Sequence, residues 1–262
     1  MKLLEFKGVA KNFSGLSVLE DVNLSVDQGE IVSLIGPNGA GKTTIFNLLT
    51  GVYQVSAGDI FFEGKKINGK PIQEIVDAGI ARTFQNLRLF PNMRVIENVM
   101  VGDYHNQKYG FLDMMFRTRK FKEEERKATQ QAVDILESIG MADKIDNYAS
   151  DLPYGAQRRL EIARAIATNA KLILLDEPAA GMNGQETEEL LEFVKSLQKR
   201  GFTILLIEHD MNLVMNISDR IYVLNHGRMI AEGKPAEISK NPAVIEAYLG
   251  TGGDGDDADA ES

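Results

Sequence analysis

The 262-residue sequence contains no cysteine. That excludes a disulfide framework, a thiolate metal site and a cysteine nucleophile, and it is compatible with a reducing cytosol. Long hydrophobic runs are missing as well. Stretches such as Ile204-Leu205-Leu206-Ile207 are short, against the ~20 apolar residues a membrane-spanning helix needs. The opening M-K-L-L-E-F-K-G has no signal-peptide core, because Glu5 and Lys7 interrupt it at once. Any contact with a membrane is therefore expected through a partner. Positive charge is in deficit: 29 Lys and Arg face 38 Asp and Glu, for a net charge of −9. This balance argues against a nucleic-acid binder that works by neutralising phosphates. Histidine occurs three times, and His105, His209 and His226 are too scattered to suggest a dedicated metal site.

What is present fits an ordinary globular protein, 44% apolar and 26% charged. The length suits one large α/β domain, or one such domain carrying a small insertion. The final stretch, T-G-G-D-G-D-D-A-D-A-E-S, is different. Asp254, Asp256, Asp257, Asp259 and Glu261 charge it with almost no bulky apolar residue, so a solvated, disordered tail is expected over 251–262.

Strand and helix patterns alternate along the chain, as in an α/β fold around a mostly parallel sheet. Gly29 to Ile35 is a short apolar run ending at a glycine-rich turn, and a helix pattern follows to Leu49, stopping at Gly51. K-L-I-L-L at 171–175 and T-I-L-L-I at 203–207 do not alternate, which predicts strands buried on both faces. The helix pattern from Glu186 to Lys199 joins them as a βαβ crossover. Residues 220 onward predict a hairpin turning at Asn225-His226-Gly227. The opening segment and Asp59 to Phe62 predict antiparallel strands covering one side. From about Asn92 to Asn169 the signals are helical, with Ala128, Val133, Leu136 and Ile139 at helical spacing and Glu123–Lys127 as a supporting i,i+4 pair.

Gly36 to Thr43 reads G-P-N-G-A-G-K-T, the spacing of a phosphate-binding loop between a strand and a helix. Backbone N–H groups of such a loop turn inward to cradle phosphate oxygens, and the helix N-terminus adds its positive end. Lys42 is placed to reach the β- and γ-phosphates and the Thr43 hydroxyl to ligate Mg²⁺. A carboxylate near the magnesium is supplied by Asp176 at the end of a buried strand. Its neighbour Glu177 is placed to orient or deprotonate an attacking water. The strand ending in Glu208-His209-Asp210 brings His209 to the same sheet edge. His105 and His226 receive no role.

Together these residues resemble the ATP-binding cassette (ABC) ATPases over about residues 3–250. The resemblance implies a P-loop NTPase core of ABC type with an antiparallel β subdomain and a helical subdomain inserted at about 92–169. Walker A corresponds to Gly36, Pro37, Asn38, Gly39, Ala40, Gly41, Lys42, Thr43 and Thr44, and Walker B to 172–177. Gln85 of A-R-T-F-Q-N resembles the Q-loop glutamine, catalytic and metal-linked in the family. His209 resembles the switch histidine, and Ala180 to Asn183 the D-loop. Phe13 falls where the family stacks an aromatic on adenine; a packed strand residue is the other reading. The segment L-P-Y-G-A-Q-R-R-L-E-I-A-R-A from Leu152 is similar to the ABC signature, whose Tyr154 and Gly155 are implied to face ATP bound to a second subunit.

Four departures from the L-S-G-G-Q form and the D-loop stand out: Pro153 replaces the signature serine, Tyr154 follows it in place of glycine, Ala156 stands at the fifth position, and Asn183 replaces the D-loop aspartate. Proline offers neither hydroxyl nor N–H, so Gly155 and the helix start remain to contact phosphate. The variants Y-G-A-Q-R-R-L-E-I-A-R-A, F-Q-N-L-R-L-F and E-P-A-A-G-M-N resemble the larger ATPase subunit of branched-chain amino-acid importers, as does the insert around Tyr104 to Lys120. The resemblance implies an ATPase using ATP and Mg²⁺, paired with a second ABC subunit as homo- or heterodimer. Its place would be the cytoplasmic face of the cell membrane, bound to permease subunits, with a solute-binding protein as indirect partner and no nucleic acid. Importers of urea or short amides and a soluble non-transport ABC ATPase are the alternatives. After Gln85, the cluster Leu87, Leu89 and Phe90 is expected either to pack inward or to line a groove for a short permease helix.

Overall fold

The computed structural model describes residues 1–107 and 109–249; the acidic tail expected at 251–262 lies outside the described residues. The chain opens with two long strands, β1 (Lys2–Phe13) and β2 (Leu16–Asp27), joined at Ser14-Gly15, where both residues take positive φ. Strand β3 (Ile31–Ile35) runs into the glycine-rich loop and helix α1 (Lys42–Leu49). Strands β4 (Ala57–Phe62) and β5 (Lys65–Lys66), helix α2 (Ile72–Ala78) and strand β6 (Ile80–Arg82) follow. Next come four helices: α3 (Val95–Asp103), α4 (Phe111–Met115), α5 (Arg119–Ser138) and α6 (Tyr154–Ala167). Strand β7 (Leu172–Asp176), helix α7 (Gly184–Lys199), strand β8 (Thr203–Ile207) and helix α8 (Met211–Ile217) return to the α/β pattern. The hairpin β9 (Arg220–Asn225) and β10 (Arg228–Gly233) and helices α9 (Pro235–Ile238) and α10 (Pro242–Leu249) complete the described chain.

Two sheets result. One is antiparallel in the order β2-β1-β4-β5; the other runs β10-β9-β3-β8-β7-β6, parallel except for β10 at its edge. The larger sheet is covered on both faces, and its strands record this residue by residue. Ile173, Leu175, Ile204 and Leu206 enter a core shared with α3, α5, α6 and α7. Their neighbours Leu172, Leu174, Leu205 and Ile207 enter a second core, built with α1 and the antiparallel sheet. Each such Leu or Ile contributes about 1.5–3 kcal/mol by burial, which is why these strands are apolar throughout instead of alternating.

Between β6 and β7 the helices pack by close approach. A Cβ on Gly102 of α3 would sit 2.3 Å from the carbonyl oxygen of Arg164 in α6, so only glycine lets these two helices touch. The amphipathic helix α5 buries Ala128, Ala132, Ile135 and Leu136. Val133 is only half-buried. The expected Glu123–Lys127 pair does not form. Glu123 instead accepts from Arg119 at 3.1 Å, and Lys127 reaches Glu124 at 2.8 Å, since exposed charges on a helix choose among several neighbours of nearly equal energy. No helix among the described residues is long and apolar enough to cross a membrane.

Candidate functional site

Strands β3, β8 and β7 are adjacent and parallel, and their register sets the site. Leu34 pairs with Ile207, and Ile207 with Asp176. Three strand ends are thereby level, and the loops that leave them, at Gly36, Glu177 and Glu208, meet on one edge of the sheet. Gly36 takes a φ of 149°, and a Cβ there would lie 1.9 Å from the Leu224 carbonyl oxygen of β9. Glycine therefore lets the loop leave β3 tightly against its neighbour. Tyr248 of α10 hydrogen-bonds the Gly36 backbone, and burial pushes its phenol up.

The loop encloses one wall of a cavity of about 220 Å³, lined by Asn38, Gly39, Ala40, Gly41, Lys42, Thr43 and Thr44. Glu177, His209 and Val18 of β2 complete its lining. Lys42 Nζ donates to the carbonyls of Gly36 at 2.6 Å and Pro37 at 2.9 Å. Burial pushes its pKa down, opposed by the nearby Glu177 and Asp176 charges. A buried cation facing an inward-turned loop at a helix N-terminus is suited to an anionic, phosphate-bearing ligand.

Glu177 is the junction of the site. Its Oε1 lies 2.5 Å from His209 Nε2, and its Oε2 accepts from Gln85 Nε2 at 2.6 Å. An ionised carboxylate only accepts, so in this arrangement His209 Nε2 carries the hydrogen. The Glu177 backbone has φ 47°, a left-handed conformation unusual for a side-chain-bearing residue and of a kind that clusters at functional sites. Its N–H is fixed to the Ile207 carbonyl at 2.9 Å. Glu208 holds the adjoining turns together, accepting from Ala179 N at 2.9 Å and His209 N at 3.1 Å. Burial pushes the Glu208 carboxyl up despite these donors.

Asp176 does not line the cavity. Its Oδ2 accepts from Arg82 Nη2 at 2.6 Å, and both side chains are about nine-tenths buried. Arg82 also donates to Asn47 at 2.7 Å and lies over the rings of Phe46 and Phe84. The Q-loop that carries Gln85 is clamped by the signature helix α6. Arg158, fully buried, donates to the carbonyls of Phe84 at 2.7 Å and Gln85 at 2.8 Å and pairs with Glu161 at 2.7 Å. Arg164 donates to the Arg88 carbonyl at 2.5 Å.

Tyr154 and Gly155 lie apart from this cavity. Pro153 is the residue before the first turn of α6, with φ −55°, a geometry its ring favours. The Tyr154 hydroxyl donates to the Ala180 carbonyl at 3.0 Å. Asn183 caps α7, accepting from Glu186 N at 3.0 Å while Glu186 accepts from Asn183 N; the residue in the aspartate position thus performs a capping task that asparagine does equally well. Phe13 stands at the end of β1, half-buried and edge-on to Tyr53 at 5.0 Å, with Lys11 over its ring, and it does not line the cavity. Arg82, Arg158 and Val18 were not foreseen. Arginine at the end of the short apolar strand I-A-R is the signal for Arg82, whereas nothing in the sequence marks Val18.

No group of three or more His, Asp or Glu among the described residues could hold a metal alone. Of the residues expected to hold Mg²⁺, Thr43 lines the cavity, whereas Asp176 is paired with Arg82 and Gln85 donates to Glu177; each carries a hard oxygen donor of the kind that suits Mg²⁺ taking most of its ligands from phosphate and water.

A phosphate-binding loop, paired carboxylates and a histidine on neighbouring strand ends, with a glutamine loop clamped by the signature helix, define an ATP-binding cassette ATPase. The chain belongs to the ABC transporter family, whose model matches residues 19–180. A second model, described as branched-chain amino acid ATP-binding cassette transporter, matches residues 228–254. The chain is 49% identical to the high-affinity branched-chain amino acid transport ATP-binding protein LivG of Escherichia coli (strain K12), over 95% of this chain and 98% of that protein. Its identity to the corresponding protein BraF of Pseudomonas aeruginosa is 46%, with the same coverage. The crystal structure of the ADP conformation of an ABC-transporter cassette matches with TM-score 0.83 and 34% identity, over 95% of this chain and 99% of that one. A dimeric post-hydrolysis cassette bound to ADP and Pi matches with TM-score 0.72 and 25% identity, over 88% and 98%.

Proposed function

We propose that this chain is the ATP-hydrolysing motor subunit of a branched-chain amino-acid importer. It works in a head-to-tail pair of cassettes at the cytoplasmic face of the cell membrane, bound to permease subunits and serving a solute-binding protein indirectly. The observation that carries hydrolysis is the Glu177 carboxylate, held between Gln85 and His209 and lining the same cavity as Lys42 and the loop. The relatives' names and the match at 228–254 support the cargo.

Residues Gly36 to Thr44 bind the phosphates through backbone N–H groups, and Lys42 turns from its loop carbonyls to the β- and γ-phosphates. Glu177 takes the proton of the attacking water, and His209 contacts the γ-phosphate as charge develops. A magnesium ion at Thr43, Asp176 and Gln85 would offset charge on the transferring phosphoryl group. Phe13 stacks on adenine. Tyr154 and Gly155 close over nucleotide bound to the second cassette, which is a copy of this chain or a related subunit.

The permease contact fits a groove of about 430 Å³ beside the Q-loop, lined among others by Ile72, Val76, Phe90, Val101 and Arg164. Phe90 is 44% exposed there, whereas Leu89 packs on the helical core. An exposed aromatic beside an apolar hollow is the form of a docking anchor. The test is reconstitution with candidate permease and solute-binding proteins. Leucine, isoleucine or valine should stimulate ATPase activity; stimulation by urea or short amides alone would transfer the assignment to that cargo. Phe90→Ala should lose co-purification with the permease while melting close to wild type. A large drop in melting temperature, as when a core phenylalanine costs ~3–5 kcal/mol, would remove Phe90 from the interface.

A further inference from the structure

We propose that Phe111 to Lys122 is a membrane-contacting element that seats on anionic phospholipid headgroups; this rests on the transporter reading above. Helix α4 carries Phe111, Leu112, Met114 and Met115, is followed by Phe116, and buries none of its side chains. Phe111 and Phe116 are 71% and 70% exposed. A five-residue helix is far too short to be stable by itself in water, and none of this one's apolar side chains enters the core.

It is nevertheless held in place from its polar side. Asp113 accepts from Gly110 N at 3.2 Å and from the Thr118 hydroxyl at 2.9 Å, and Thr118 accepts from Phe121 N at the start of α5. Tyr109 packs edge-on to Phe121 at 4.9 Å. The apolar side chains are thus presented outward on a fixed support.

Charge selects the occupant. Arg117, Arg119, Lys120 and Lys122 follow directly and are all exposed, in a chain whose net charge is −9. Arg119 pairs with Glu123, and Lys120 stands 4.0 Å from Asp113; Arg117 and Lys122 make no ion pair among the described residues. Cytoplasmic loops of membrane proteins carry excess Lys and Arg and would repel this run, whereas an anionic leaflet attracts it. Large apolar side chains flanked by basic ones suit the boundary between headgroups and acyl chains. The element also follows α3, whose Val101 and Gly102 line the proposed permease groove.

The chain contains no tryptophan, so Phe116→Trp makes a single reporter in the full-length protein. Vesicles of phosphatidylcholine with about one-third phosphatidylglycerol should shift its emission to the blue and co-sediment the protein, at least about tenfold more than phosphatidylcholine alone. High salt should weaken the association. In the otherwise native chain, Phe111→Ser with Phe116→Ser should lower co-sedimentation about tenfold while ATP binding and melting stay unchanged. Absence of binding to anionic vesicles, or equal binding by the double variant, would overturn the proposal. So would loss of permease co-purification in detergent with vesicle binding intact, which would assign the patch to a protein contact. ATP binding measured on the same samples separates any of these failures from failure of the cassette reading.

Discussion

The sheet edge and the start of the signature helix contrast in how complete they are within one chain. At the edge, Glu177 is already hydrogen-bonded to His209 and Gln85, Lys42 is held by its loop carbonyls, and Lys42, Glu177 and His209 line one cavity. At Pro153 to Gly155 the helix start is exposed or half-buried, and nothing of that cavity faces it. The edge is positioned by strand register, which any folded copy reproduces; on the proposed reading, the phosphate that the helix start would meet is bound to a second cassette. Nucleotide binding is therefore expected of one chain, and efficient turnover of two.

Arg158 is the joint between these regions, because it ties the signature helix to the Q-loop carbonyls. Arg158→Met leaves Glu161 buried without its partner and should cost ~3–5 kcal/mol, read as a lower melting temperature. An unchanged melt would show that the two regions are not coupled through this pair. Gly155→Asp comes next. On the proposed closure over a second cassette it would set a carboxylate against the partner's γ-phosphate, and turnover should fall about 100-fold, or ~2.7 kcal/mol of barrier, while the isolated chain binds ATP as before. Lys42→Ala should act on the other region, weakening ATP binding about tenfold or more by removing a charge-assisted contact. Calorimetry on the isolated variants distinguishes the two; loss of binding in Gly155→Asp would break the comparison. Pro153→Ser is the mildest. Turnover should stay within about tenfold of wild type, ~1.4 kcal/mol, because the helix start and Gly155 remain. Equal small effects from both signature substitutions would mean that this segment does not face nucleotide.

The edge was readable because glycine spacing, a terminal carboxylate pair and a strand-end histidine are local patterns that topology then brings together. The strands expected at 171–175 and 203–207 were readable for the same reason: burial on both faces removes alternation, and the observed strands Leu172–Asp176 and Thr203–Ile207 are buried at every position. What escaped were contacts between residues far apart in the chain. Arg82 to Asp176 and Arg158 to Phe84 are side-chain choices made after the fold exists. The charge pairs of α5 escaped differently, since exposed Glu123 and Lys127 have several equivalent partners. Asn183 shows the limit of reading a departure as a loss, for it caps α7 fully.

The most direct measurement is Glu177→Gln, with ATP affinity and steady-state turnover taken on the same preparation. The substitution spares the loop and Lys42 and removes only the basic oxygen. ATP affinity within about threefold of wild type, with turnover reduced at least 100-fold and a closed dimer trapped by ATP, is the expected result. Turnover close to the wild-type rate would contradict the assignment of Glu177 as the general base.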